Sequence, residues 1–256
     1  MFNVILPTYN EASNIICLIN MLIAIFNKMN VAYKLIVVDD NSPDRTAEIV
    51  KNKNLNFVEV IERKGKLGLG SAYKEGIKHC TYEYTIIIDV DLQQNPFDII
   101  GMAQYCKDYD IVSSTRYASK AKYVESAEEV VTLENAYKKI YTEKIVQGKV
   151  CNWSFLRKLI SAGANTLAKK VLDLKLSDLT CSFRIYKTDF LRKIIKKVKN
   201  NSFGFQMEII ARSEYENAKI KEYPITFYNR MFGESKLSFK DIFMYFYQIG
   251  WLYLAL

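Results

Sequence analysis

Strand-like runs that alternate with helix-like runs through the first half of the chain predict an α/β fold, with a mostly parallel sheet flanked by helices. Two observations carry that expectation. The strand-like runs are short, β-branched and almost wholly apolar, as strands covered on both faces must be. Several of them stop at polar clusters, and in such sheets ligands bind where the carboxyl ends of the strands emerge.

The elements follow in order. Asn3 to Pro7 is the first strand, and Glu11 to Asn30 a long apolar helix. Its apolar centre, Ile15 to Phe26, is too short to span a bilayer and is interrupted by Asn20. Tyr33 to Val38 is the second strand and ends in Asp39-Asp40. Ser42-Pro43-Asp44 opens a helix that continues through Ala47 to Asn52, proline being suited to an early helical position. Phe57 to Ile61 is a third strand, Gly65 to Gly70 a loop opening a helix through Lys78, and Tyr84 to Ile88 a fourth strand that stops at Asp89. A helix over Phe97 to Lys107 and a strand over Asp110 to Ser114 come next. Lys120 to Gln147 is polar and rich in Glu, Lys and Tyr, and reads as one or two exposed helices or a partly mobile insert. Beyond it lie a helix (Ser154 to Leu172), a short strand (Ser182 to Tyr186), a very basic helix (Thr188 to Lys199), another helix (Phe205 to Tyr215) and a strand (Ile220 to Phe227).

Composition narrows the function. The 256 residues are half hydrophobic, enough for a full core, and the net charge of +8 favours polyanionic partners such as phosphorylated ligands or anionic lipid surfaces. The basic residues are scattered rather than interleaved with aromatics along a groove, so no nucleic-acid partner is expected. The five cysteines (Cys17, Cys80, Cys106, Cys151 and Cys181) show no CxxC spacing, and His79 is the only histidine. That argues against a zinc site and against a Ser-His-Asp hydrolase, and suits a reduced compartment. His79 itself reads as a helix-end residue. Met1 leads straight into a strand-like run, so no signal peptide is expected.

Chemistry concentrates at three strand ends: Thr8-Tyr9-Asn10-Glu11, Asp39-Asp40-Asn41 and Asp89-Val90-Asp91-Leu92-Gln93. In the last, Asp89 and Asp91 fall on one side of an extended chain. Hard divalent cations take oxygen ligands, and Mg²⁺ commonly combines one or two carboxylates with substrate phosphates. A lone Asp-x-Asp is weak, because aspartate also serves turns. Three such clusters at neighbouring strand ends are stronger.

Together with Lys64-Gly65-Lys66-Leu67-Gly68-Leu69-Gly70, Ser114-Thr115-Arg116-Tyr117, Asp178-Leu179-Thr180-Cys181-Ser182-Phe183-Arg184, Phe205-Gln206-Met207-Glu208 and Asn229 to Leu237, these motifs resemble the GT-A glycosyltransferases of family 2. Over nearly the whole chain they are most similar to its dolichyl-phosphate mannosyltransferase branch. The resemblance implies a Rossmann-like GT-A domain over residues 1–240 and an apolar, aromatic C-terminal helical tail over 241–256. It also implies inverting transfer of mannose from GDP-mannose to dolichyl phosphate with a divalent cation, Mg²⁺ or Mn²⁺. Pro7, Tyr9, Glu11, Val38 and Asp40 would form the guanosine pocket, and Asp89 and Val90 would line ribose and diphosphate. Asp91 and Gln93 would hold the metal, while Arg116, Arg157, Arg230 and Lys236 would face phosphates; Asp89, Asp91, Arg116 and Arg157 are the catalytic candidates. Arg157 and the basic loop residues could equally be solvated surface.

Two features depart from the branch: Val90 stands where alanine is usual, and the 118–147 insert beside the acceptor site is longer than its counterpart. The resemblance further implies the cytosolic face of the endoplasmic reticulum membrane, small membrane-anchoring subunits, and a product feeding N-glycosylation, O-mannosylation and GPI anchors. The tail, from Phe243 to Leu254, is either an interfacial helix that meets the membrane surface or a helix packed on the core. A polyprenyl-phosphate glucosyltransferase using UDP-glucose is the alternative within the fold. A nucleotidyltransferase is disfavoured, because Thr8-Tyr9-Asn10-Glu11 occupies the place of its glycine-rich signature.

Overall fold

The computed structural model describes residues 1–117, 149–150, 155–202, 204–228 and 239–256. The 118–147 insert, Cys151, Arg230 and Lys236 lie outside the described residues, as does the side chain of Arg157.

Nine strands are described: β1 (Phe2–Thr8), β2 (Tyr33–Asp39), β3 (Val58–Glu62), β4 (Tyr84–Ile87), β5 (Ile111–Thr115), β6 (Lys149–Val150), β7 (Arg184–Lys187), β8 (Ile220–Pro224) and β9 (Thr226–Phe227). Seven form one sheet in the order β3-β2-β1-β4-β7-β5-β8, and β6 pairs with β9 in a small second sheet. All main-sheet neighbours run parallel except β7, which is antiparallel to both β4 and β5. That single reversal matters for the site. It brings the amino end of β7 to the same edge as the carboxyl ends of β4 and β5. The expected strand over Ile220 to Phe227 is broken in two between the sheets, at the point where Pro224 supplies no amide donor to a ladder.

Eight helices cover the sheet: α1 (Ile15–Met29), α2 (Thr46–Lys51), α3 (Leu69–Gly76), α4 (Asp98–Ala103), α5 (Phe155–Val171), α6 (Thr188–Ile195), α7 (Phe205–Tyr215) and α8 (Phe239–Ala255). Helix α1 begins later than its apolar run suggests, because residues 11–14 form a turn in which Glu11 O accepts from Asn14 N and Ile15 N. It buries Ile15, Leu18, Leu22, Ile25 and Phe26 at helical spacing and stops at Asn30, whose left-handed conformation (φ 51°) ends the helix. One core lies between α1, α4 and one sheet face; the other joins α3, α5, α6, α7 and α8 to the opposite face. On α6 the pattern is amphipathic: Leu191, Ile194 and Ile195 are buried, while Lys193, with Lys197 just beyond, pairs with Glu216 at the surface. His79 ends a 3₁₀ turn and its Nδ1 lies 2.7 Å from Glu59. The four described cysteines are free.

The C-terminal helix packs on the core through Gln248, Ile249 and Leu252, and each aliphatic side chain so buried contributes about 1.5–3 kcal/mol. Its other face exposes Met244, Phe246, Tyr247, Tyr253 and Leu254. No described helix is long and apolar enough to cross a membrane.

One core residue opposes folding. Asp98 Oδ2 is fully buried without a hydrogen-bond partner among the described residues, and burial pushes the carboxyl up to about 8. A carboxyl raised in the folded state stabilises fully below the unfolded value near 4, and that stability is lost as pH rises towards about 8. Asp98→Asn removes the titration. It is therefore expected to raise Tm by a few degrees at pH 8, corresponding to about 1–3 kcal/mol, with little change at pH 4.5. Thermal melts at the two pH values check this.

Candidate active site

The carboxyl ends of β1, β2 and β4 lie side by side, with Thr8 in register with Asp39 and Pro7 with Val38. Each of the three polar clusters contains one residue in the left-handed region: Asn10 (φ 56°), Asn41 (φ 57°) and Leu92 (φ 57°). Asparagine visits that region readily; leucine does so only under constraint, and such strain gathers at functional sites. Leu92 is buried, which holds the turn carrying Asp91 and Gln93 in this conformation.

The two adjacent aspartates after β2 divide their work. Asp39 is structural: its carboxylate accepts from Thr8 Oγ1 (2.7 Å), Ser42 N (2.8 Å) and Ser42 Oγ (2.6 Å). Asp40 accepts from Arg63 Nε (2.5 Å) and from the backbone of Leu67 (3.1 Å), and Arg63 also pairs with it through Nη2. Arg63 in turn donates to Ser71 Oγ (2.6 Å) and Gly68 O (3.2 Å), so one side chain ties Asp40 to the glycine loop. Gly68 has φ 97°, and a Cβ there would lie 2.4 Å from Asn201 O. Gly68→Ala is expected to cost about 1–3 kcal/mol by shifting this loop, measurable by thermal melts.

Tyr9 lies at the rim with the Lys66 ammonium 4.5 Å from its ring centroid. Glu11 is buried; its carboxylate accepts from Asn14 Nδ2 (2.7 Å), and its amide donates to Thr46 Oγ1 (3.0 Å). Val38 and Val90 are buried, one in each of the two cores, so their side chains pack beneath these strand ends.

At the end of β4, Asp89 Oδ2 accepts from Ser182 Oγ (2.7 Å) and Gln94 Nε2 (3.4 Å), and Asp89 Oδ1 from the Tyr73 hydroxyl (3.4 Å). Burial, then the nearby Asp89 charge, holds the Tyr73 phenol well above its ordinary range, so it remains a donor. Asp91 Oδ1 accepts from Gln93 N (3.2 Å). Gln93 Nε2 donates to Tyr228 O (2.9 Å) and Gln93 O accepts from Tyr228 N (2.8 Å). The nitrogen end of the amide is bound there, and only its oxygen end has the chemistry of a ligand for a hard cation. The described residues contain no group of three His, Cys, Asp or Glu placed to hold a metal. An all-oxygen pair such as Asp91 and Gln93 fits Mg²⁺ or Mn²⁺ completed by substrate phosphates, and does not fit zinc.

Arg116 leaves the end of β5 and is nearly buried. Its Nε and Nη2 form a two-pronged pair with Asp178 (2.7 and 2.8 Å), and its amide donates to the same carboxylate (3.1 Å). Nη2 also reaches Thr180 Oγ1 (2.6 Å), and the guanidinium lies 5.1 Å from the Phe227 ring centroid. Phe227 bridges to Gln94, which links this cation to the Asp89–Gln93 turn. Burial alone would raise Asp178, but the Arg116 charge wins and holds it below the usual carboxylate range. Arg184, fully buried, donates to Ser113 Oγ, Gln206 O, Gln206 Oε1 and Leu179 O. Arg63, Tyr73, Gln94, Asp178 and Ser182 were not among the sequence candidates. Asp178 and Ser182 stand inside the 178–184 motif, and Arg63 and Gln94 directly adjoin motif residues; Tyr73 had no such signal.

The family model for glycosyl transferase family 2 matches residues 3–195, a span that includes the ends of β1, β2, β4 and β5. The chain belongs to glycosyl transferase family 2. Its sheet and flanking helices are of the GT-A type. Among its family 2 relatives, a dolichol-phosphate mannosyltransferase of Pyrococcus furiosus is 33% identical over 251 residues, covering 95% of this chain and 61% of the relative. The chain thus spans under two thirds of that relative's length. An undecaprenyl-phosphate mannosyltransferase of Micrococcus luteus is 28% identical over 240 residues, 91% of this chain and 86% of the relative. Among solved structures, the mannosyltransferase PcManGT of Pyrobaculum calidifontis, in complex with GDP-Man and Mn²⁺, aligns with a TM-score of 0.55 at 15% identity, covering 99% of this chain and 63% of the other.

Proposed function

We propose that this chain transfers mannose from GDP-mannose to dolichyl phosphate, with inversion, giving dolichyl β-D-mannosyl phosphate and GDP. The observation that carries the reading is the placement of the Asp91–Gln93 oxygen pair beside two further strand ends, one holding Tyr9 and Glu11 and the other Asp40 clamped by Arg63. Relatives named for mannosyl transfer to dolichol phosphate and undecaprenyl phosphate support the acceptor and the sugar. The solved GT-A neighbour bound to GDP-Man and Mn²⁺ supports the donor and the metal.

Tyr9, with Pro7 and Glu11, meets the base, and Asp40 accepts from it; Asp89 lines ribose and diphosphate. Asp91 and Gln93 hold the cation, which when bound offsets the charge growing on the departing GDP. The phosphate monoester acceptor has a second pKa near about 6 and is largely ionised at neutral pH, so no protein base is needed to activate it. Arg116 offers a fixed cation to that phosphate, with its fork geometry set by Asp178. Arg157, Arg230 and Lys236 complete the phosphate contacts on this reading.

The same reading places the enzyme at the cytosolic face of the endoplasmic reticulum membrane. There the exposed apolar face of α8 meets the membrane surface or a small anchoring subunit, and the product serves N-glycosylation, O-mannosylation and GPI-anchor synthesis. The test is incubation with labelled sugar donor, dolichyl phosphate and Mg²⁺ or Mn²⁺. Labelled lipid from GDP-mannose is the expected result; labelled lipid from UDP-glucose instead would overturn the donor assignment.

A further inference from the structure

Tyr245 sits on the C-terminal helix, α8, with its ring partly buried against the core. Its hydroxyl is buried and has no hydrogen-bond partner among the described residues. A buried donor left unmet costs about 1–3 kcal/mol, and such groups in a native chain mark a missing ligand or a functional role. Among the described residues, the titratable groups within its electrostatic reach are Asp178, Tyr117 and Arg116, and burial first, Asp178 second, keep its phenol protonated. Asp178 already accepts from Arg116, Thr180 N and Cys181 N, and the Tyr117 hydroxyl lies 2.7 Å from Ser161 Oγ.

Two buried guanidiniums lie in this cluster. Asp178 carries two prongs of the Arg116 guanidinium, and Arg184 is held close by through Ser113, Gln206 and Leu179. A buried O–H donor left unmet near a guanidinium has an anionic oxygen as its complement. The helix that supplies Tyr245 exposes Met244, Phe246 and Tyr247 on its outer face, an apolar surface along which a lipid tail could run.

We propose that the Tyr245 hydroxyl is a ligand of the acceptor's phosphate, which makes the C-terminal helix part of the acceptor site alongside Arg116. The inference rests on the polyprenyl-phosphate reading of that site. Its test is calorimetric binding of farnesyl phosphate, farnesol, inorganic phosphate and GDP to the full chain and to Tyr245→Phe. The wild type is expected to prefer farnesyl phosphate to both farnesol and inorganic phosphate. Tyr245→Phe is expected to lose about tenfold of the preference for the phosphate over the alcohol, with GDP binding unchanged and Tm equal or higher.

Four results overturn the proposal: unchanged farnesyl phosphate binding in the variant, no preference for the phosphate in the wild type, a loss confined to GDP, or a lowered Tm that reveals a structural partner for the hydroxyl. The donor reading fails separately. If farnesyl phosphate binds as expected but no labelled lipid forms from GDP-mannose, the Tyr245 contact stands and the proposed reaction does not.

Discussion

Asp91→Asn is expected to lower mannosyl transfer from GDP-mannose by about 10³-fold while leaving Tm within a few degrees of the wild type. The asparagine oxygen can still accept from Gln93 N, a hydrogen bond that ties Asp91 Oδ1 into the turn, so the strained Leu92 conformation keeps its support. What the substitution removes is the charge. A neutral amide binds a hard cation more weakly than a carboxylate, and with Gln93 as partner the site would keep no charged ligand; losing a charge-stabilising group in a dry site typically costs about 10²–10³ in rate, with more expected when the cation itself is lost. Metal titrations followed by activity separate the two contributions. A variant whose rate returns at high Mn²⁺ has lost affinity for the cation; one that stays slow at saturation has lost its placement. Full activity in Asp91→Asn would remove the metal from the proposal, whereas Asp89→Asn is expected to disturb Ser182 and Tyr73 as well as the donor.

Much of this arrangement could be read from residue order because buried parallel strands announce themselves. β1, β2 and β4 are apolar runs, and the residues directly after each of them must emerge at the ligand-binding edge. Side-chain direction was harder. In a strand covered on both faces the period-two signal vanishes, so Val38 could be placed at the right strand end but not on a face; it falls into the core under α3. Likewise nothing in Asp39-Asp40 says which carboxylate turns inward to Thr8 and Ser42 and which meets Arg63. The reversed β7 and the two-residue β6 and β9 depend on pairings between residues far apart in sequence, which local pattern does not encode. The role of Asp178 was hidden for the same reason, since its partner Arg116 lies 62 residues earlier.

That pair carries the largest expected loss of stability. Asp178→Asn removes the carboxylate paired with the nearly buried Arg116 guanidinium, and breaking one side of a buried ion pair costs about 3–5 kcal/mol. For a chain of this size that corresponds to a Tm lower by roughly 10 °C, from a total stability of only about 5–15 kcal/mol. The wild type should show the matching acid dependence. The folded pKa of Asp178 is depressed, so its contribution is present above the unfolded value near 4 and is lost as pH falls through the lower folded value; Asp178→Asn should flatten that limb. A third variant separates packing from chemistry. Replacing both partners with apolar residues, Arg116→Met with Asp178→Leu, removes the stranded charge and is expected to recover part of the lost Tm. It should stay inactive, because the acceptor phosphate then loses the fixed fork of Arg116. If the double variant transferred mannose at the wild-type rate, Arg116 would be a structural residue alone, and the acceptor phosphate would have to be met by another cation.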